Sequence, residues 1–135
     1  MYKKILCVDD DPITLMLSKK VLQKIEFSEI IDSVQNGEDA LNYLSNCKEA
    51  LDNDQNFILP EFIFLDLNMP IMGGWEFLDE IMENKYGEYF PDLKVIVLSS
   101  TIDPKDIEKS KSYPMVLDFL SKPISRELLE GLKRT

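Results

Sequence analysis

The residues in this chain best suited to chemistry are Asp9, Asp10, Asp66, Ser99 and Lys122. Asp9-Asp10-Asp11 follows one short apolar run, and Asp66 closes another. Ser99-Ser100-Thr101 closes a third, and Lys122-Pro123 follows a fourth. Clustered carboxylates repel one another unless a cation lies between them. Hard oxygen donors in small number suit Mg²⁺, which keeps several waters and can share a phosphate oxygen. Phosphoryl transfer needs positioning and charge neutralisation more than covalent help. In that chemistry Asp66 supplies the attacking oxygen. Mg²⁺ and Lys122 neutralise the phosphoryl oxygens, and Ser99 donates a hydrogen bond to one of them. A carboxylate nucleophile is already ionised at neutral pH and needs no histidine base. The chain has no histidine, so it cannot itself carry a phosphohistidine.

Each piece also has a plain structural reading. Asp9 to Asp11 could cap a helix, Asp66 could end a strand, Ser99 could bond locally, and Lys122-Pro123 could be a turn. What separates the two readings is that all four stand at the ends of predicted strands.

Those strands emerge from the hydrophobic pattern. Lys3 to Val8, Ile30 to Val34, Phe62 to Leu65, Val95 to Leu98 and Val116 to Leu120 read as strands. Amphipathic stretches alternate with them. Asp11-Pro12 is a cap followed by a proline in the first helical turn. Leu17, Val21 and Ile25 recur at four-residue spacing, as one face of a helix would. Asn36-Gly37 is a turn signal, and Ala40, Leu41 and Leu44 predict a short second helix. Residues 48 to 61 show no clear period and read as a long surface connection, with room for one extra helical turn. Trp75, Leu78 and Ile81-Met82 mark a third helix. Asp103-Pro104 starts a fourth, and Ser125 caps a fifth carrying Leu128, Leu129 and Leu132. Near-continuous apolar strands separated by helices indicate a parallel α/β sheet covered on both faces. Ligands bind such sheets beyond the carboxyl ends of the strands, where the candidate residues stand.

Composition bounds the rest. The 135 residues, 44% of them hydrophobic, suit one domain with a real core. A net charge of -10 argues against nonspecific nucleic-acid binding. No apolar run approaches bilayer length, and the amino terminus runs straight into a strand pattern without a signal peptide. Cys7 lies in an apolar run and reads as a buried core thiol. No CxxC or zinc-ligand spacing occurs. A cytoplasmic, reduced protein is expected, with no membrane partner.

The chain resembles the receiver domain of bacterial response regulators, including the single-domain chemotaxis regulators. The carriers are Val8-Asp9-Asp10-Asp11, Leu65-Asp66-Leu67-Asn68-Met69-Pro70, Gly73-Gly74, Leu98-Ser99-Ser100 and Lys122-Pro123. The resemblance covers nearly the whole chain. It implies a flavodoxin-like (βα)5 three-layer fold with strand order 2-1-3-4-5, and one receiver domain over residues 1–135. It implies that Asp66 accepts a phosphoryl group from a histidine kinase or histidine phosphotransfer protein. Asp10 and Asp66 then ligate Mg²⁺ directly, Asp9 acts mainly through water, and Asn68 lends its backbone carbonyl. Ser99 matches the switch hydroxyl, Lys122 the phosphate-binding lysine before a cis proline, and Phe119 the aromatic switch position. An unknown target protein is expected on the face of the fourth helix, fifth strand and fifth helix. The protein is expected as a monomer or a phosphorylation-dependent dimer.

Two departures stand out: the long connection before Phe62, and a chain that stops soon after its fifth helix. Met1-Tyr2-Lys3 reads as a natural start, so a single-domain regulator is the expectation. It is not expected to be an enzyme beyond its own phosphotransfer and slow dephosphorylation. An aspartyl-nucleophile, metal-dependent phosphohydrolase is a rival. It needs a second acid two residues past the nucleophile, where this chain has Asn68. A flavodoxin is another rival, but Asp9 to Asp11 would repel a flavin phosphate. A phosphate sink or relay intermediate remains open beside an effector.

Overall fold

In a computed structural model, residues 1–84 and 86–133 are described. The strands are β1 (Tyr2–Val8), β2 (Ser28–Val34), β3 (Phe62–Asp66), β4 (Lys94–Ser99) and β5 (Val116–Ser121). The helices are α1 (Pro12–Lys24), α2 (Gly37–Asn53), α3 (Gly74–Glu83), α4 (Tyr86–Tyr89), α5 (Pro104–Ser110) and α6 (Arg126–Lys133). The strands form one parallel sheet of order β2-β1-β3-β4-β5. This is the flavodoxin-like topology that the resemblance implied, and the reversal of strand order sets a crevice at the ends of β1 and β3.

Side chains alternate across each strand, so β3 feeds two cores. Ile63 and Leu65 face a core closed by Leu44 of α2 and by Phe77, Leu78 and Ile81 of α3. Phe62 and Phe64 face the other, with Leu15 and Leu22 of α1 and Leu129 and Leu132 of α6. All five residues of β3 are buried. β5, at the sheet edge, has no fully buried residue.

The structure corrects three expectations. First, α1 turns Leu15 and Leu22 inward; of the predicted face, Val21 and Ile25 are half-buried against the same core, whereas Leu17 is 53% exposed. The helix carries two apolar stripes, and packing against the sheet selects the one with Leu15 and Leu22. Second, α2 is not short. Its buried stripe of Ala40, Leu44 and Cys47 continues into half-buried Leu51, and the helix absorbs residues 48 to 53 of the predicted connection. The weak helix formers Asp52 and Asn53 at its end, followed by Asp54, read as a loop and hid that last stretch. The remaining link is not all surface either, because Phe57 and Leu59 pack against the core. Third, a one-turn helix, α4, precedes β4, and its Tyr86 packs on the core beside Phe90. A single turn is too short to show a period.

Candidate functional site

The carboxyl ends of β1, β3, β4 and β5 bring the predicted residues to one edge of the sheet. Asp9 follows β1, and its backbone N–H extends the ladder to Val34 at 3.2 Å. Its Oδ1 accepts from the Asp11 N–H at 3.0 Å, which fixes the carboxylate's orientation. Asp11 itself is taken up by α1. Its side chain accepts from the Ile13 N–H at 2.9 Å and the Thr14 hydroxyl at 3.1 Å. These bonds hold its carboxyl below the usual range. Of the three consecutive acids, Asp11 therefore serves as a helix cap, leaving Asp9 and Asp10 for the pocket.

Asp66 ends β3 and is 6% exposed. Lys122 reaches across from the end of β5. Its Nζ donates to Asp9 Oδ2 at 2.6 Å and lies 3.1 Å from Asp66 Oδ1. Carboxylate oxygens of Asp9, Asp10 and Asp66 all lie within 4.8 Å of one another, with Asp10 the exposed member. One ammonium faces three carboxylates, so two negative charges stay uncompensated when all are ionised. Burial and the nearby Asp9 charge push the Asp66 carboxyl above its ordinary value, and Lys122 offsets this only in part. For Lys122, burial works against the charge, but hydrogen bonds to Asp9 and Asp66 outweigh it and lift its pKa.

Ser99 ends β4, is buried, and accepts weakly from the Thr101 N–H at 3.3 Å. Its carbonyl accepts from the Lys122 N–H at 2.8 Å, which ties the two strand ends together. The Lys122-Pro123 peptide is cis, as expected. Asn68 is exposed on the loop after β3, and Phe119 is half-buried opposite Val97 in the ladder.

That loop is shaped by residues whose importance sequence reasoning did not derive. A Cβ on Gly74 would lie 2.8 Å from the Asp66 carbonyl oxygen and 2.9 Å from the Leu67 Cα. Only glycine lets α3 start so close to the strand that ends in Asp66. Ile71 sits at φ 71°, a left-handed conformation that costs a β-branched residue about 1–2 kcal/mol. Its neighbours hold it there. Met72 N–H donates to the Pro70 carbonyl at 2.8 Å, and the Met72 carbonyl accepts from Gly37 N–H at 2.9 Å.

The pocket's chemistry fits a small divalent cation: three hard-oxygen donors, a residual negative charge and an open side at Asp10. Soft or imidazole donors are absent from this cluster, which argues against zinc.

A family model described as "Response regulator receiver domain" matches residues 5–132. The probable methanogenesis regulatory protein FilR2 of Methanothrix harundinacea (strain 6Ac) is 31% identical over 97% of this chain and 77% of its own length. The hybrid signal transduction histidine kinase L of Dictyostelium discoideum is 33% identical over 97% of this chain, which spans only 7% of that protein. Among solved structures, a two component response regulator from Cytophaga hutchinsonii superposes with a TM-score of 0.87 at 29% identity, covering 98% of this chain and 95% of that one. The BeF3-activated DrrB receiver domain superposes with a TM-score of 0.71 at 27% identity, over 99% and 97% of the two chains.

Proposed function

The chain belongs to the response regulator receiver domain family, and from that premise we propose that Asp66 is the phospho-acceptor of a domain covering residues 1–135. The observation that carries this reading is Lys122 Nζ bridging Asp9 and Asp66 beside Asp10. The donor is a phosphohistidine on a kinase or histidine phosphotransfer protein. An Asp66 carboxylate oxygen attacks the phosphorus. The P–O bond forms as the P–N bond breaks, and the histidine ring leaves with the electron pair. Lys122 turns its ammonium toward the incoming phosphoryl oxygens, and the Ser99 hydroxyl donates to one of them. Asp9, Asp10, Asp66 and the Asn68 carbonyl would hold Mg²⁺, which supplies charge neutralisation at those oxygens.

The α5–β5–α6 face carries the output to a target protein, and the chain performs no separate catalysis. Among the described residues, no helix is long and apolar enough to cross a membrane. Both cysteines are free and buried. Burial lifts the Cys7 thiol to about 12, which keeps it inert and suits a reducing cytoplasm.

Incubation with Mg²⁺ and acetyl phosphate, followed by intact-mass measurement, tests the assignment. Wild type should gain one phosphoryl group and Asp66→Asn none. Uptake by the variant at the wild-type rate would remove Asp66 from the role.

A further inference from the structure

Helix α5 is held most firmly at its carboxyl end, with Asp106 and Ile107 half-buried and Pro104 and Lys105 exposed. Its single buried residue is its last, Ser110. Beyond it, Tyr113 is 6% exposed and stacks on Trp75 of α3, with ring centroids 5.7 Å apart and planes inclined by 19°. The Tyr113 hydroxyl donates to Asp79 Oδ1 of α3 at 2.6 Å, across 34 residues of sequence. Lys109 places its Nζ 4.8 Å from the centre of the Trp75 ring, on the side of α5. Burial and the Asp79 contact push the Tyr113 hydroxyl up to about 12, so it stays a donor at neutral pH. The other end of α5 is different. Ser100, Thr101, Ile102, Asp103 and Pro104 are all exposed, and the Asp103 cap bonds only into its own helix.

We propose that Trp75, Asp79 and Tyr113 form a fixed pivot that pins the carboxyl end of α5 to α3, so that the helix swings from its amino end when Ser99 moves. The inference rests on the reading of Asp66 as phospho-acceptor and deepens it by naming the part of α5 that stays still. Three contacts of different kinds meet at Tyr113: a stacked ring, a charge-assisted hydrogen bond and core burial. None of them involves the loop that Ser99 heads. A push at Ser99 therefore meets little resistance along 100–104 and strong resistance at 110–113. Displacement should be largest near Ile102 and fall along the helix. Trp75, Asp79 and Tyr113 act here as positioning residues, since none touches the acidic pocket.

Trp75 is the only tryptophan in the chain, so its emission reports the pivot directly. With Mg²⁺ and beryllofluoride added to wild type, backbone amide shifts should be large at Asp10 and Leu67 and along 100–106. They should be several-fold smaller at 110–113, and Trp75 emission should be unchanged. Tyr113→Phe keeps the ring and loses the Asp79 bond. It should spread the shift changes into 110–113 while phosphoryl uptake from acetyl phosphate stays within about twofold of wild type. Pocket shifts accompanied by a changed Trp75 emission, or an unaltered gradient in Tyr113→Phe, would overturn the pivot alone. An absence of any response at the pocket amides would overturn the pivot and the phospho-acceptor reading together.

Discussion

Strands β3 and β5 each deliver a residue to the acidic pocket, but they do so from opposite mechanical settings. β3 is paired on both sides and fully buried, and it sends Phe62 and Phe64 into one core and Ile63 and Leu65 into the other. Its last residue, Asp66, inherits that rigidity, and α3 is pressed against it through Gly74. β5 pairs only with β4, across an irregular register near Val95, and Leu117 is 45% exposed. It carries Phe119 and leads into Lys122. An acceptor must stay in place to meet an incoming phosphoryl group. A reporting surface must be able to move, and the low-stability parts of a fold are the ones free to do so. In the function proposed above, the acceptor stands on the central strand and the reporting surface at the edge.

Truncating one aromatic on each strand tests that contrast most severely. Phe64→Ala should cost about 3–5 kcal/mol, since Phe64 is fully buried among Phe27, Phe62 and Ile96. Phe119→Ala, from a half-buried edge position, should cost roughly 1–2 kcal/mol. Urea denaturation of both variants measures the two values. Equal losses would erase the distinction between a rigid centre and a yielding edge.

An effect smaller than that of Phe64→Ala is expected where the strands meet. Lys122→Ala leaves Asp9 and Asp66 without their shared ammonium, and should destabilise by about 2 kcal/mol, below the range for fully buried pairs. The folded-state pKa of Lys122 is raised, so its contribution is complete at neutral pH and fades only as pH climbs through that raised value. Mg²⁺ should raise the melting temperature of this variant more than that of wild type. A variant that melts like wild type would show that the bridge adds nothing to β5's hold on the centre.

Asp66→Asn should give the smallest change, and in the opposite direction. The raised folded-state pKa means the native protein binds the Asp66 proton more tightly than the unfolded chain does. Between the ordinary carboxylate value of 3.8 and the raised one, native stability therefore falls as pH rises, and the penalty is complete above the raised value. Replacing the carboxylate by a neutral amide should raise the melting temperature at neutral pH, with the gain shrinking in acid. Melting curves across that range decide it. A neutral-pH loss would mean that Lys122 pairing outweighs burial and the repulsion from Asp9.

Much of this arrangement was open to reading from the chain alone, because its signals are local. Asp11-Pro12, Asp103-Pro104 and Ser125 start helices through their own side chains, and all three caps are formed. Apolar runs bounded by acids or hydroxyls gave the strands, and alternation with helices gave a parallel sheet. That placed Asp9, Asp10, Asp66, Ser99 and Lys122 at one edge. The rotation of α1 was not legible, because Leu17 and Leu15 are equally apolar and only packing against the sheet selects between stripes. Nor was the end of α2, where the stripe of Ala40, Leu44, Cys47 and Leu51 runs into the turn-type residues Asp52, Asn53 and Asp54. The bond from Tyr113 to Asp79, the stacking on Trp75 and the closeness of Gly74 to Asp66 depend on how distant segments are brought together. Composition and spacing determined which groups stand at the strand ends. Tertiary packing decided which of those ends are held fast and which can move, because rigidity comes from neighbours that lie far away in sequence.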